Sequence, residues 1–332
     1  MKIAGQISID DIPQIYPLLS RVVNPQYGES GTRVVEVAGV RFGGERPVVI
    51  AGPCAVESHE QTVGLAHAVK RAGADMLRGG AYKPRTSPHD FQGSGLEGLC
   101  ILSVAREQTG LPIVTEVMDP RLVGEVAQVA DMLQVGSRNM HNYTLLAEVG
   151  RAGKPILLKR GMSASLCEWL GAAEYIAKQG NLDIVLCERG IRGFPSGEYS
   201  RYVLDLNVIP AAKMLTFLPI IVDPSHATGV SAMVEPASRA ALEMGSHGLL
   251  IEVADFSFGE PKCDGLQAID ATTLARIVEF AHRSEARSQK SGVRRQEPGV
   301  RSQESDDGSP KEERPTSGIS KVVVGASSNQ NA

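Results

Sequence analysis

One stretch of the sequence, Leu77 to Ser87, gathers side chains that suit anion binding. It follows the mostly apolar run 74–77 and contains three cations, Arg78, Lys83 and Arg85, beside two adjacent glycines. Glycines let the backbone turn sharply and approach a ligand closely, while arginine offers a planar fork and lysine a point charge. The stretch therefore predicts an anion site where a buried strand becomes a loop. A solvated basic loop is the alternative.

Other side chains that could bind ligands stand at or just after the ends of short apolar runs along the chain, and they fall into two sets. The cationic set comprises Arg78, Lys83, Arg85, Arg138, Lys159 and Arg189. The set with metal-ligand chemistry comprises Cys54, His226, Glu252 and Asp264.

The cationic set predicts more than one bound anion. Six cations facing one opening would repel each other and lose solvation unless anions neutralise them. Arginine forks bind phosphate and carboxylate groups bidentately, and the set divides into two basic subsets along the chain. The alternative for each cation taken singly is a salt bridge at the surface.

The second set suits a borderline divalent ion. A thiolate, an imidazole and carboxylates favour Mn, Fe, Co or Zn over Ca or Mg, which prefer oxygen ligands alone. Each residue also has a structural alternative, since cysteine is often a small buried hydrophobe and histidine a satisfied core group. The four residues are scattered and match no short metal motif, so their spacing leaves both interpretations open.

The elements that must position these residues alternate regularly. Runs rich in Val, Ile and Leu predict strands at 48–54, 74–78, 112–117, 132–136, 155–159, 184–188, 219–223 and 248–253. Segments with helical spacing predict helices near 58–72, 95–108, 121–129, 143–152, 164–179, 203–215, 231–244 and 268–283.

Eight strands and eight helices predict a (β/α)8 barrel, with a doubly wound open sheet as the alternative. In a barrel, catalytic groups stand at the C-terminal ends of the strands, where both sets are found. Residues 33–37 and 40–42, around Ala38-Gly39, predict a hairpin that would cap the bottom of the barrel. The first and last predicted strands are neighbours in a closed barrel, which would bring the four metal-ligand residues together.

Composition excludes several classes of protein. The chain has 332 residues, of which 42% are hydrophobic and 22% charged, and its net charge of -4 excludes a globally basic nucleic-acid binder. No apolar run approaches the roughly 20 residues of a membrane span, and the start lacks a signal peptide. Five irregularly spaced cysteines favour free thiols in a reducing compartment, so we expect a cytoplasmic protein.

The chain divides into three parts by composition. Residues 1–32 form an N-terminal extension, residues 33–283 the catalytic barrel and residues 284–332 a low-complexity tail. The tail is rich in Ser, Gly, Gln, Glu and Arg and has no aromatic residue. Such a composition buries too little apolar surface to offset its ordering entropy, so we expect disorder there.

Several long motifs carry a family resemblance. These motifs are residues 51–58, 77–87, 159–161, 187–192 and 223–226. They resemble 3-deoxy-D-arabino-heptulosonate 7-phosphate (DAHP) synthase of the type I beta subfamily, in the family's order, over roughly residues 33–282. The resemblance implies a (β/α)8 barrel that condenses phosphoenolpyruvate with erythrose 4-phosphate, uses a divalent metal, and opens the shikimate route to chorismate and the aromatic amino acids.

The resemblance also implies roles for individual residues. It makes Cys54, His226, Glu252 and Asp264 the metal ligands, although Asp264 lies in a loop outside any long motif. It assigns phosphoenolpyruvate to Arg78, Lys83, Arg138, Lys159 and Arg189, with the backbone of Ser137. It assigns the phosphate of erythrose 4-phosphate to Arg85 and Thr86. In the chemistry, Lys83 would protonate the new alkoxide and Glu116 would orient the water that adds at C2.

Family members often carry an N-terminal regulatory domain, and residues 1–32 are too few for one. We therefore expect turnover to be insensitive to free Phe, Tyr or Trp. We also expect a homo-oligomer, either a dimer or a tetramer, and consider a chorismate mutase as a partner.

Two other functions are weighed against this one. The sister enzyme condenses arabinose 5-phosphate to 3-deoxy-D-manno-octulosonate 8-phosphate, but it typically has Ala-Asn between the lysine and the arginine, where this chain has Pro84 alone. A non-catalytic metabolite sensor, or a binding partner of a chorismate mutase, would show the loss of a catalytic residue, and none is lost.

A redox role is a further hypothesis for Cys263. It precedes Asp264, so its thiol could approach Cys54 and form a disulfide when the metal is lost. Alternation along an extended segment would instead turn Cys263 away.

Overall fold

The fold was analysed in a computed structural model, which describes residues 21–22, 31–85, 87–194, 201–263 and 265–290. The strands are β1 Val35–Val37, β2 Val40–Phe42, β3 Val48–Gly52, β4 Met76–Arg78, β5 Ile113–Glu116, β6 Met132–Val135, β7 Ile156–Lys159, β8 Ile184–Glu188, β9 Ile220–Val222 and β10 Gly248–Glu252. Strands β3 to β10 form a closed barrel, because β10 pairs in parallel with both β9 and β3. The predicted barrel is confirmed, and the open sheet is wrong.

The helices cover the outside of the barrel. They are α1 His59–Arg71, α2 Gly95–Thr109, α3 Val123–Val129, α4 Tyr143–Arg151, α5 Leu166–Ala177, α6 Val208–Leu215, α7 Pro224–Thr228, α8 Ser231–Glu243 and α9 Ala271–Lys290. Short 3-10 turns lie at Pro120–Leu122, Ser137–Asn139, Phe256–Phe258 and Gly265–Gln267. Among the described residues, no helix combines the length and apolar character needed to cross a bilayer.

The lower half of the barrel interior is apolar and is closed by the hairpin of β1 and β2. Alternate residues of a strand point to the same side, so every second residue of each barrel strand faces the interior. The hairpin side chains Val35, Val37 and Phe42 are buried in one cluster with the interior residues of the strands. Those interior residues are Val48, Ile50, Met76, Val114, Met132, Leu157, Val185, Cys187, Ile221 and Leu250. The predicted cap is confirmed.

The upper half of the interior is polar for the same geometric reason. In seven of the strands, the residue two positions after an apolar interior residue is polar and lies near the end of the strand or just beyond it. These polar residues are Arg78, Glu116, Gln134, Lys159, Arg189, Asp223 and Glu252, and all seven are buried. The period of two thus gathers charged groups from separate strands at the C-terminal end of the barrel.

The helices depart from the sequence prediction most clearly at α6, α7 and α9. Helix α6 begins at Val208 instead of 203, because Val203 pairs with Ile191 in an isolated bridge. Helix α7 was not predicted, since five residues are too short to show a helical period. Helix α9 runs to Lys290, past the expected end at 283. The tail was predicted to be disordered from residue 284, but residues 284–290 belong to this helix. The rest of the predicted disorder, at 291–332, lies outside the described residues.

Candidate active site

A polar cavity of about 170 Å³ opens at the C-terminal end of the barrel. Its lining brings together most of the residues predicted from sequence: Arg78, Lys83, Arg85, Glu116, Ser137, Arg138, Lys159, Arg189 and His226. It also includes residues that were not predicted, namely Asp90, Gln134, Met162 and Arg201. Thr86 and Asp264 lie outside the described residues, so their predicted roles stay predictions.

Three of the four predicted metal ligands converge beside this cavity. One ligand atom each from Cys54, His226 and Glu252 lies within 4.8 Å of the others. Nε2 of His226 is 3.6 Å from Oε2 of Glu252. Cys54 and Glu252 are buried, and His226 is mostly buried. A thiol, an imidazole and a carboxylate at this separation fit one borderline divalent ion.

Asp223 holds His226 in place. It caps the N-terminus of α7, where its Oδ1 accepts a hydrogen bond from the backbone N–H of His226 at 2.9 Å. Its Oδ2 lies 2.8 Å from Nδ1 of His226 and accepts from Nζ of Lys159 at 2.5 Å. Burial would raise the pKa of Asp223, but His226 and Lys159 outweigh burial and hold it well below its usual value. An ionised carboxylate at Nδ1 leaves Nε2 for a metal.

Lys83 and Cys54 are in direct contact. Nζ of Lys83 lies 3.0 Å from Sγ of Cys54 and donates to its backbone oxygen at 3.1 Å. Burial opposes the charge on Lys83, but the nearby Cys54, Cys263 and Glu116 outweigh it and raise the pKa of Lys83 above its usual value. Lys83 therefore carries a proton at Nζ at neutral pH.

Cys263 lies against Cys54, contrary to the expectation that it faces away. Neither forms a disulfide, and both thiols are buried and packed in one small cluster. The contact with Cys263, and then burial, raise the pKa of Cys54 to about 11 against the opposing effect of Lys83. The protein without metal thus keeps Cys54 as a thiol, and metal binding must displace its proton.

Glu116 offers one carboxylate oxygen to the cavity. Its Oε2 accepts from Nε2 of Gln134 at 3.1 Å. Within the described part of the chain, its Oε1 and the hydroxyl of Ser137 are buried without a hydrogen-bond partner. Gly136 makes room for the carboxylate, because a Cβ atom there would lie 2.0 Å from Oε1. Since buried polar atoms are normally paired, these two groups are suited to a bound ligand or water.

Cations surround the rest of the cavity. Arg78 is buried and reaches Oε2 of Glu252 at 3.4 Å, and Arg85 reaches Asp90 at 3.4 Å. The guanidinium of Arg189 stacks 4.2 Å from the ring centre of Tyr202. The cavity therefore combines an electropositive wall with a group of metal-binding side chains.

Sequence reasoning missed several residues of this site. Asp223 had a visible signal, since an aspartate followed directly by proline is typical of a helix N-cap and first turn. Gln134 stands two residues after an interior methionine, so strand alternation could have found it. Arg201 and Gln267 gave no signal, because they lie in irregular segments whose contacts depend on the folded chain.

Comparison with known proteins decides the family. The model of the DAHP synthetase I family matches residues 26–289, which is more than half of the chain. The chain belongs to this family. A phospho-2-dehydro-3-deoxyheptonate aldolase of Thermotoga maritima is 42% identical over 267 residues, covering 80% of this chain and 76% of the relative. A 2-dehydro-3-deoxyphosphooctonate aldolase of Syntrophotalea carbinolica is more distant, at 34% over 238 residues, covering 66% and 84%.

Solved structures agree with this assignment to the DAHP synthetase I family. The crystal structure of the Thermotoga maritima DAHP synthase superposes with a TM-score of 0.75 at 39% identity, covering 81% of this chain and 77% of that one. A truncated form of 3-deoxy-D-arabino-heptulosonate 7-phosphate synthase from the same organism gives 0.73 at 37% identity, covering 82% and 97%. The type I resemblance inferred from the motifs is confirmed.

Proposed function

We propose that the protein condenses phosphoenolpyruvate with erythrose 4-phosphate to give DAHP and inorganic phosphate, the first step of the shikimate pathway. One observation carries the proposal: a Cys/His/Glu metal group and an electropositive cavity share the same end of the barrel. Both substrates are anionic and one is an aldehyde, so the two features suit them together.

Phosphoenolpyruvate binds to the cationic wall. Five cations line the cavity and supply charge for a carboxylate and a phosphate: Arg78, Lys83, Arg138, Lys159 and Arg189. Ser137 begins a 3-10 turn, and its backbone N–H adds a neutral donor. Arg85, together with Thr86, takes the phosphate of the sugar.

Cys54, His226 and Glu252, with Asp264, hold a divalent ion, for which Mn, Fe, Co and Zn are the candidates. Such an ion supplies Lewis-acid polarisation of the aldehyde when bound. As C3 of phosphoenolpyruvate attacks the aldehyde carbon, Lys83 gives its Nζ proton to the new alkoxide. Oε1 of Glu116 orients the water that adds at C2. One proton of this water restores Lys83, and the other leaves with the phosphate as the C–O bond breaks and the C2 ketone forms.

The sister reaction with arabinose 5-phosphate is the second candidate, and 2-dehydro-3-deoxyphosphooctonate aldolases are among the similar proteins. Pro84 alone separates Lys83 from Arg85 in this chain. This sequence favours the shorter, four-carbon sugar phosphate.

We also infer a cytoplasmic homo-oligomer, a dimer or a tetramer, with chorismate mutase as a candidate partner. Light scattering of the purified protein, alone and mixed with a chorismate mutase, tests both assembly predictions.

The purified protein alone, with Mn²⁺, tests the function. Phosphoenolpyruvate should disappear only when erythrose 4-phosphate is added, with one phosphate released for each seven-carbon sugar formed. Lys83→Met should lose at least about a hundredfold in kcat, as expected for a proton-transfer group. Lys178→Met, a matched change at an exposed lysine, should not. Absence of turnover by the native protein with Mn²⁺, Co²⁺ or Zn²⁺ would favour a non-catalytic role.

A further inference from the structure

Arg201 is a cation of the cavity that the predicted substrate contacts do not include. It lines the cavity together with Arg189 and His226, and its own side chain is exposed. Its segment is fixed to the helix that carries His226, because the backbone N–H of Arg201 donates to Thr228 O at 2.9 Å. Gly229 makes this approach possible, since its φ is +71° and a Cβ atom there would lie 2.7 Å from Cβ of Arg201. The position of Arg201 is thus tied to that of His226.

Gln267 joins Arg201 to the metal group. Its Oε1 accepts from Nη1 of Arg201 at 3.3 Å, and its Nε2 donates to Oε2 of Glu252 at 3.0 Å. Gln267 is 2% exposed, so both ends of its amide are used within the protein. An amide has one accepting and one donating end, so the donor that faces Glu252 requires the carbonyl to face Arg201. Carboxylate ligands of metals are commonly oriented by such hydrogen bonds.

Arg201 and Arg189 both lie near the same aromatic ring. Their guanidinium carbons lie 5.7 Å and 4.2 Å from the ring centre of Tyr202. Burial lowers the pKa of Arg189, and the charge of Arg201 acts in the same direction. A dianion that contacts both guanidinium groups would stabilise the charge on each, and arginine forks bind phosphate bidentately.

We propose that Arg201 binds a phosphate ester group of a substrate, and that Gln267 is the positioning residue that links it to the metal-binding carboxylate of Glu252. The identity of the substrates rests on the proposed function. The pair joins phosphate binding to the metal group through one buried amide.

Titration of the metal-free protein with Co²⁺ tests the Gln267 end. Gln267→Met keeps the size of the side chain and removes both hydrogen bonds, so the Co²⁺ affinity should fall about 10- to 100-fold and the Co²⁺ absorption bands should shift. Gln108→Met, the same change at an exposed glutamine, should leave both unchanged. Wild-type affinity and bands in Gln267→Met would overturn the link to Glu252.

The variant Arg201→Met tests whether Arg201 binds phosphate. Because Arg201 is exposed, this variant should fold normally. The KM of one phosphate substrate should rise about tenfold or more, with a smaller change in kcat. A rise for phosphoenolpyruvate assigns Arg201 to that phosphate, and a rise for erythrose 4-phosphate assigns it to the sugar phosphate. Arg283→Met, at an exposed arginine of α9, is the matched control. KM values of Arg201→Met within twofold of wild type for both substrates would overturn the proposal.

The double variant tests the connection. If Gln267 positions Arg201, the KM effects of Arg201→Met and Gln267→Met should be strongly non-additive, whereas independent residues would give additive effects and refute the link. Calorimetric titration of the native protein and Arg201→Met with inorganic phosphate distinguishes failure of this inference from failure of the proposed function. Failure of turnover in the native protein rejects the reaction, while weaker phosphate binding by Arg201→Met still supports the site.

Discussion

His247 should make the folded protein sensitive to mild acid. It immediately precedes β10, where its Nδ1 accepts from the backbone N–H of Ile220 at 3.0 Å and its Nε2 contacts Oγ1 of Thr32 at 3.2 Å. Burial, and then the charge of Lys213, lower the pKa of His247 from 6.5 to about 3. The accepting Nδ1 requires a neutral ring, so protonation would break this contact.

The sign and size of the effect follow from this pKa. The pKa of His247 is lower in the folded state than in the unfolded state. Its contribution to the free energy of unfolding is therefore complete above pH 6.5 and is lost as the pH falls toward 3. At pH 5 the unfolded state gains about 2 kcal/mol from protonating this residue, whereas the folded state gains almost nothing. The variant His247→Asn keeps a side-chain hydrogen-bond acceptor but has no group that takes up a proton in this pH range.

Urea unfolding at pH 7, 6 and 5 measures the difference, with the fluorescence of the buried Trp169 as the signal. Between pH 7 and pH 5 the native protein should lose about 2 kcal/mol more free energy of unfolding than His247→Asn. His89→Asn, at an exposed histidine, should behave like the native protein. Equal pH dependence in the native protein and His247→Asn would show that His247 is not held neutral by the fold.

Three further predictions concern the site. Exhaustive chelation should abolish turnover, and Mn, Co or Zn should restore it. Full activity in protein that elemental analysis shows to contain no metal would refute the predicted metal site. Peroxide treatment of metal-stripped protein should join the touching thiols of Cys54 and Cys263 in a disulfide, detected by non-reducing peptide mapping, and equal inactivation of Cys263→Ser would exclude it. Lys159→Met leaves the buried carboxylate of Asp223 short of one cation, so urea unfolding should show a loss of about 3–5 kcal/mol, and a loss below about 1 kcal/mol would contradict the contact.

The barrel could be predicted because its strands are buried on both faces and its helices are amphipathic, so each element leaves its own local pattern. The rule that catalytic groups stand at the C-terminal ends of barrel strands then placed Arg78 and Lys159 at the mouth of the barrel. Strand alternation, which was not used, would also have identified Gln134, two residues after the interior Met132.

The remaining parts of the site depend on contacts between distant segments. Gln267 and Arg201 are 66 positions apart. Gln267 lies in a 3-10 turn and Arg201 in an irregular segment, so neither has a periodic pattern that indicates the direction of its side chain. The contact of Cys263 with Cys54 was open for a similar reason, because alternation holds only in extended chain. The roles of Thr86 and Asp264 stay predictions carried by the motif resemblance.

The choice between sugar phosphates tests the central claim most directly. The native protein with Mn²⁺ and saturating phosphoenolpyruvate should be given erythrose 4-phosphate or arabinose 5-phosphate in parallel, and kcat/KM measured from phosphate release with the product mass determined. A strong preference for erythrose 4-phosphate, with a seven-carbon product, is the predicted result. Equal or faster phosphate release with arabinose 5-phosphate would contradict the proposed function.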